Sequence, residues 1–182
     1  MEIIETGFDG LYILKPRIFA DSRGYFFESY RHETLVRAGI SFTPVQDNES
    51  KSVKGVVRGL HYQLKPFDQA KLIRVVAGKI FDVAVDLRRD SDTFGKWYGT
   101  LLDADIKDQL FISRGFAHGF SVLSDTAIIQ YKCDNPYNPQ FERGISIDDP
   151  ELNINWRLGD INRITSEKDL KHPILKDAEN NF

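Results

Sequence analysis

Alternation of apolar and polar side chains with a period of two residues is the most regular pattern in this chain. In residues 79–87, Phe81, Val83 and Val85 alternate with Asp82 and Ala84, which predicts a β-strand with two different faces. Comparable short runs follow one another at spacings of roughly 8 to 12 residues, with Gly, Pro, Ser and Asp between them. They cover residues 11–14, 25–30, 96–102, 110–113, 119–123 and 127–133. The pattern predicts an all-β sandwich, jelly roll or barrel.

Helical periodicity is weak by comparison. Residues 32–38 predict one short helix that ends at Gly39, and the polar segment 160–182 is expected to be irregular or partly helical. Residues 43–48 are expected to be extended, and residues 51–54 to form a polar connection. No repeat, low-complexity tract or linker divides the chain, so we expect residues 1–182 to form one domain.

Residues 55–74 combine apolar strand residues with ionisable and amide side chains. The polar members of this stretch are Arg58, His61, Gln63, Lys71 and Arg74. Ionisable groups are rarely buried unless they are paired or used, although a solvated edge strand would also explain one such run. A second polar group, containing His118 and Tyr131, lies on later predicted strands. Two such groups in one small domain predict a shared cavity.

The parity of strand positions restricts which of these side chains can share a face. Arg58 and His61 are an odd number of residues apart, so a regular strand would direct them to opposite faces. Gly59 lies between them, and a bulge there could bring both to one side. By the same argument Asp82 projects on the face opposite Phe81 and is a further candidate for lining the cavity.

Composition excludes several classes of partner and location. The net charge of −3 and a pI near 5.8 argue against nucleic acid as the main partner. We see no signal peptide and no apolar run of the roughly 20 residues that span a bilayer. The single cysteine, Cys133, lies in an apolar strand and is expected to pack in the core. Together these features predict a cytoplasmic protein without a membrane partner.

Metal binding is poorly supported by the histidines. Of the four in the chain, His32 lies on the predicted helix and His172 in the polar tail, so both are expected to be solvated. Gln63 stands two residues after His61, where a second His would be needed, and no Glu follows closely. We therefore expect no metal site.

General acid–base chemistry fits the polar residues better than covalent chemistry does. Cys133 has no histidine near it in sequence, and there is neither a Gly-x-Ser-x-Gly turn nor a glycine-rich phosphate loop. A histidine such as His61 can accept a proton near neutral pH, and a tyrosine such as Tyr131 can return one. Lys71 could stabilise an oxyanion as it develops. These three residues suit removal of a proton next to a carbonyl group and its return.

Motifs in order along the chain resemble those of the dTDP-4-dehydrorhamnose 3,5-epimerase family. They are DSRGYFFES (21–29), VQDNESKS (45–52), RGLHYQ (58–63), KLIRVVAGKIFDVAVDLR (71–88), GFAHGF (115–120), QYKC (130–133) and SEKD (166–169). The resemblance covers almost the whole chain and implies a cupin-type jelly roll with a few short helices. It also implies a homodimer that uses neither a metal nor a cofactor. One departure is Arg114, where the family commonly has Glu.

The family inverts C3 and C5 of dTDP-4-dehydro-6-deoxy-D-glucose, the two carbons beside the C4 ketone. The resemblance implies that His61 is the base and that Asp169 orients it. It implies that Lys71 stabilises the enolate oxygen and that Tyr131 is the acid on the opposite face. Tyr137 matches a position that stacks on the thymine ring. The positions that match substrate-binding residues are Arg23, Glu28, Gln46, Asp47, Asn48, Arg58, Lys71, His118, Tyr137, Glu142 and Lys168.

Two other functions remain open at this stage. An epimerase acting at one carbon differs only in substrate positioning, which motifs do not resolve. A non-catalytic nucleotide-sugar-binding jelly roll would keep the binding contacts, but it would need neither a base nor an acid. A ketoisomerase is disfavoured because the RGLHYQ and QYKC motifs supply both groups. The resemblance further implies that residues 23–28 reach into the neighbouring subunit's site.

Overall fold

The computed structural model describes residues 1–182 and consists mainly of antiparallel β-strands. The strands, in chain order, are β1 (Glu2–Glu5), β2 (Leu11–Lys15), β3 (Phe19–Asp21), β4 (Gly24–Phe26), β5 (Gln46–Val53), β6 (Val57–Gln63), β7 (Lys71–Ala77), β8 (Lys79–Asp86), β9 (Trp97–Asp103), β10 (Gln109–Ile112), β11 (Phe116–Val122), β12 (Thr126–Cys133) and β13 (Glu142–Gly144). One short helix, α1 (His32–Arg37), and two 3₁₀ helices, Asp169–Lys171 and Leu175–Asp177, complete the structure. None of the helices is both long and apolar enough to cross a bilayer.

The strands form two large sheets and one separate hairpin. The six-stranded sheet has the order β1-β2-β10-β7-β12-β5, and the five-stranded sheet has the order β13-β6-β11-β8-β9. Strands β3 and β4 pair only with each other. Neighbours in each sheet are mostly distant in sequence, as expected for a jelly roll. The all-β prediction and the cupin-type jelly roll implied by the resemblance are confirmed.

The main apolar core lies between the two sheets. Ile73 and Ile129 project into it from the six-stranded sheet, and Ile80, Ala84 and Phe120 project from the five-stranded sheet. Their alternate positions along each strand follow from the period-two pattern, because successive side chains point to opposite faces. At one end of this interior the apolar side chains give way to the polar ones that the sequence singled out.

The outer faces of both sheets are also covered. The chain beyond β13 lies against the five-stranded sheet, where Ile145, Leu152 and Trp156 pack on Phe81 and Val83. The polar tail therefore has an apolar side that encloses this sheet. Residues 35–42, which include the second half of α1, cover the six-stranded sheet in the same way.

Two predicted elements have different bounds in the structure. The aromatic run 25–30 is a strand only through Phe26, where the β3–β4 hairpin ends. Residues 51–53, expected to be a connection, continue β5, because this polar edge strand pairs with β12 along its whole length. A strand that follows an existing edge gains backbone hydrogen bonds without needing an apolar face. The helix expected over 32–38 is present and ends one residue earlier.

The irregularity expected at Gly59 is present. Arg58 pairs with Phe120 of β11, and His61 pairs with His118, so β6 has one residue more than β11 between these pairs. Phe120 and His118 share the interior face, and the extra residue brings both Arg58 and His61 to it. At the bulge the backbones of Gly59 and Gly119 lie close together. A Cβ on Gly59 would stand 2.6 Å from the Gly119 Cα.

Replacement of Gly59 by alanine should therefore destabilise the protein more than a backbone penalty alone would. Gly59 has φ +136° and Gly24 has φ +131°, but a Cβ on Gly24 would meet nothing within 4 Å. Gly24→Ala thus measures the backbone cost, and we expect Gly59→Ala to lower the free energy of unfolding by about 2 kcal/mol more. Urea unfolding of both variants measures this difference. Equal losses would show that the close approach of the two strands is not needed.

Candidate active site

A cavity of about 280 Å³ opens between the two sheets at their polar end. Strands of both sheets contribute to its wall. The lining residues are Gln46, Asn48, His61, Tyr62, Gln63, Gln69, Lys71, Tyr131, Tyr137 and Glu142. A larger groove of about 510 Å³ lies elsewhere on the surface, but its arginines, Arg88 and Arg114, are already paired with carboxylates. The smaller cavity is lined by ionisable side chains, such as Lys71, that form no salt bridge, and it is the candidate site.

His61 faces the cavity from β6 and is held by Asp169. The His61 Nε2 atom lies 2.8 Å from Asp169 Oδ1, and Asp169 Oδ2 accepts a hydrogen bond from the Gly59 N–H at 3.3 Å. Burial alone would raise the pKa of Asp169, but the hydrogen bond and charge of His61, with the hydrogen bonds from Gly59 and Ser166, together lower it. An ionised Asp169 accepts a hydrogen bond from the His61 Nε2–H, which leaves the lone pair of His61 on Nδ1. His61 is thus arranged as a base.

Tyr131 faces the same cavity from the other sheet. It lies on β12, directly opposite Ile73 of β7 and Asn48 of β5. Burial raises the pKa of Tyr131 above its usual 10, and Cys133 adds to this, while Arg58 opposes it. The phenol therefore stays protonated near neutral pH. His61 and Tyr131 border one space from facing sheets.

Lys71 begins β7 beside Tyr131 and carries the cation of the cavity. Burial lowers the pKa of its ammonium group, and nearby Cys133, Asp82 and Glu142 partly compensate. Its ammonium group forms no salt bridge with a carboxylate. A desolvated ammonium without a fixed partner is well placed to bind an anionic oxygen.

The His118 ring, next to His61 across β6 and β11, is bound to a second carboxylate. Its Nε2 atom lies 2.9 Å and 3.1 Å from the two oxygens of Asp82, whose side chain is completely buried. Asp82 is therefore on the interior face, as parity predicted. The pair is a fixed polar group in the interior beside His61.

A connected group of side chains forms the outer rim. Tyr137 Oη donates to Glu142 Oε2 at 2.7 Å, and Lys168 Nζ donates to the same oxygen at 2.6 Å. Burial raises the pKa of Glu142, but these two hydrogen bonds outweigh it and lower the pKa overall. The Tyr137 N–H donates to Gln46 Oε1 at 2.8 Å, and Gln46 in turn bonds to Asn48. Tyr137 remains 51% exposed, so one side of its ring is free.

Six of the residues predicted to bind substrate do not line this cavity, and three of them, Asp47, Arg23 and Glu28, lie apart from it. Asp47 is on the outward face of β5 and binds Lys132, because strand alternation separates it from Gln46 and Asn48. Arg23 lies in the exposed β3–β4 hairpin and binds Asp21. Glu28 follows that hairpin and binds Arg31. Arg58, by contrast, lies beside Ser52 and close to Tyr131.

Two residues at or beside the cavity, His172 and Gln69, were not predicted from the sequence to belong to the site. His172, expected to be solvated, is 12% exposed, and its Nε2 atom lies 3.6 Å from Asp169 Oδ1. The spacing of three residues from Asp169, across a 3₁₀ turn, is the signal that could have indicated it. Gln69 lines the cavity from a loop and binds the Asn135 carbonyl, and no pattern in the sequence marks it.

Although no metal site was expected, two histidines and a carboxylate lie close together. Ligand atoms of His61, Asp169 and His172 all lie within 4.8 Å of one another, a spacing that could hold a metal ion. Asp169 Oδ1 is already engaged by His61 Nε2, however, so a metal would have to replace that hydrogen bond.

The fold and the cavity define a class of protein. A base and a protonated acid face each other across a space, with a cation at its side, inside a jelly roll. This arrangement can take a proton from one face of a carbon next to a carbonyl group and return one to the other face. It is the arrangement of a jelly-roll isomerase.

Comparison with known proteins agrees with this class. The family model described as dTDP-4-dehydrorhamnose 3,5-epimerase matches residues 5–177. The dTDP-4-dehydrorhamnose 3,5-epimerase of Shigella flexneri is 48% identical over 180 residues, which cover 98% of each chain. The chain therefore belongs to the dTDP-4-dehydrorhamnose 3,5-epimerase family.

Two solved structures are similar over almost the whole fold. A dTDP-6-deoxy-D-glucose-3,5-epimerase from Legionella pneumophila, in complex with dTDP-4-keto-L-rhamnose, has a TM-score of 0.92 and 46% identity over 96% of this chain and 93% of its own. A 3'-monoepimerase from Streptomyces bikiniensis, in complex with dTDP-quinovose, has a TM-score of 0.90 and 34% identity over 95% of this chain and 87% of its own. The shared fold thus accommodates both one and two inversions.

Catalysis is expected to be independent of metal, because the Asp169 oxygen that a metal ion would bind is already hydrogen-bonded to His61. Prolonged treatment with a strong chelator, followed by gel filtration, should leave the turnover number unchanged. Loss of activity that only an added divalent ion restores would contradict this expectation.

Proposed function

We propose that this protein inverts C3 and C5 of dTDP-4-dehydro-6-deoxy-D-glucose and so forms dTDP-4-dehydro-L-rhamnose. The observation that carries the proposal is the placement of His61 and Tyr131 on facing sheets of one cavity. Inversion needs a proton to leave from one face of a carbon and another to arrive on the opposite face. Two facing groups meet that requirement, whereas a binding protein would need neither.

Each inversion divides into two proton transfers. His61 Nδ1 takes the proton from the carbon beside the ketone, and the C–H electron pair moves into the enolate. Lys71 stabilises the negative oxygen that forms, and Asp169 stabilises the imidazolium. Tyr131 then protonates the carbon from the other face, its phenolate recovers a proton from solvent, and the His61 imidazolium releases its proton to solvent. C3 and C5 both flank the C4 ketone, so the same groups serve both carbons.

The rim is suited to the nucleotide. We assign the free face of Tyr137 to stacking on the thymine ring, with Gln46 and Asn48 supplying hydrogen bonds beside it. Arg58 and Lys168 provide positive charge for the diphosphate, and His118 provides a further polar contact for the sugar. These assignments follow from position and charge.

We propose a homodimer in which the β3–β4 arm of one subunit reaches the other subunit's cavity. Within one chain Arg23 and Glu28 lie apart from the cavity and bind only neighbours in sequence. The arm also exposes Phe19, Tyr25 and Phe26, which are 50%, 59% and 67% exposed. Apolar side chains grouped on a projecting hairpin favour contact with another chain. We propose the cytoplasm as its location, since the one cysteine, Cys133, is unpaired and buried.

Inversion at one carbon is the second candidate, favoured by the similarity to the 3'-monoepimerase. Identity to that protein is 34%, compared with 46% to the 3,5-epimerase of Legionella. We therefore favour two inversions.

Substitution of the acid and the base should separate the two halves of the reaction. In D₂O, His61→Asn should slow loss of the substrate's C3 and C5 hydrogens by roughly 10²- to 10⁴-fold, since no base remains. Tyr131→Phe should still exchange these hydrogens while inversion falls about 10²-fold. NMR follows both processes, and Tyr98→Phe, on β9, is the matched control for the lost hydroxyl. Normal inversion in Tyr131→Phe would disprove the role of Tyr131.

The pH dependence of kcat should reveal the charge on Lys71. Because its pKa lies below the usual 10.5, the cation, and with it the activity, should be lost as the pH rises through a value below 10.5. Tyr131 remains protonated over that range because its pKa is raised. In Lys71→Arg the guanidinium stays charged, so the alkaline loss should move to higher pH.

Lys132→Arg provides the control for this experiment, because Lys132 lies on the outward side of β12 and binds Asp47. Its pH profile should match that of the unmodified protein. An alkaline limb that is the same in Lys71→Arg as in the unmodified protein would show that Lys71 does not set it.

Mixing two inactive variants tests the shared site. Arg23→Ala and His61→Asn should each abolish most activity alone. In a mixed dimer, the first subunit's His61 meets the second subunit's Arg23, so one of the two cavities is intact. After random exchange of subunits, about a quarter of the original activity should return. No recovery, with subunit exchange verified by mass spectrometry, would show that Arg23 does not act across the dimer.

A further inference from the structure

His172 lies behind the catalytic pair without an assigned function. It directly follows the 3₁₀ helix Asp169–Lys171, and its ring meets the ring of His61 edge-on, with centroids 5.7 Å apart. The Nε2 atom of His172 is buried and has no hydrogen-bond partner. It lies 3.6 Å from Asp169 Oδ1, which is too far for a hydrogen bond. A buried, unpaired ring nitrogen is costly, so a compensating role for this ring is expected.

Gly144 provides the space in which the His172 ring lies. Gly144 is on β13 and pairs directly with His61 of β6. A Cβ at this position would stand 2.4 Å from both Cδ2 and Nε2 of His172. The φ angle of Gly144 is outside the left-handed region, so its backbone does not require glycine. The reason for glycine here is room for the imidazole.

The His172 ring and two hydrogen bonds together enclose Asp169. One oxygen of Asp169 accepts from His61 and the other from the Gly59 N–H, and the carboxylate is only 4% exposed. The ring of His172 closes the remaining side. Without it, water would reach Oδ1 and compete with His61 for that oxygen.

We propose that His172, seated against Gly144, is a positioning residue that fixes the Asp169 carboxylate toward His61 and keeps water from their hydrogen bond. This inference rests on the proposed function, in which His61 is the base. Burial and the neighbouring His61 lower the pKa of His172, with Lys168 acting in the same direction and Asp169 and Glu142 opposing them. A neutral His172 does not draw the carboxylate away from His61.

Removal of the His172 ring should loosen the hydrogen bond between His61 and Asp169 without weakening substrate binding. We expect His172→Ala to lower kcat about 10-fold with little change in KM, because the base is misaligned while the rim is intact. In NMR spectra of the protein without substrate, the N–H proton between His61 and Asp169 should exchange with water at least about 10-fold faster. His172→Phe keeps an aromatic ring in this space but lacks the ring nitrogens, so it should retain most of the activity and of the proton's protection.

A double-mutant cycle tests the role of Gly144. Gly144→Ala should displace the ring and reproduce the losses of His172→Ala. In the double variant the added methyl group enters the vacated space, so the combined loss should be smaller than the product of the two single losses. Lys171→Ala, on the same turn and exposed, is the control and should change neither measurement.

Two results would overturn the proposal: unchanged proton exchange in a folded His172→Ala, or losses that multiply fully in the double variant. The exchange measurement needs no substrate, so it remains decisive even if the unmodified protein fails to epimerise. That failure would count against the proposed function instead.

Discussion

The hydrogen bond between His61 and Asp169 is the contact on which the site depends. It joins β6 to a segment 108 residues later in the chain. The same C-terminal region covers the outer face of the five-stranded sheet, so the packing that completes the fold also delivers the carboxylate. Because Asp169 is buried, its charge is stable only while His61 and the Gly59 N–H bind it. Folding of the C-terminal region therefore also places the carboxylate that orients His61.

The interior between the sheets is divided into an apolar and a polar end. Aliphatic side chains such as Ile73 and Ile129 fill one end, and the next inward positions on the same strands, Lys71 and Tyr131, open the cavity. Strand alternation makes this possible, since a step of two residues keeps the face and changes the chemistry. The two sheets also fix the facing positions of acid and base. Desolvation acts on both groups: it raises the pKa of Tyr131 and lowers that of Lys71.

Much of this architecture could be predicted from the sequence where the period of two residues determined it. The strand pattern placed Asp82 inside, and the odd spacing of Arg58 and His61 required the bulge at Gly59. The same rule places Asp47 on the face opposite Gln46 and Asn48, whereas motif similarity grouped all three as substrate-binding residues.

No periodic pattern of apolar and polar residues in the sequence indicates the remaining features. His172 lies in a tail without regular strands, and its burial depends on the space left by Gly144, far away in sequence. Within one chain Arg23 and Glu28 lie apart from the cavity and bind only neighbours in sequence. Polar β5 extends further than expected because pairing with β12, rather than its own composition, determines its length.

The central claim is that two facing groups exchange protons with carbons on both sides of the ketone. The most direct test is to incubate the unmodified protein with dTDP-4-dehydro-6-deoxy-D-glucose in D₂O and locate deuterium in the product by NMR. We predict deuterium at both C3 and C5, with both centres inverted. Inverted product without deuterium at either carbon would contradict the account, and label at C3 or C5 alone would reduce it to a single inversion.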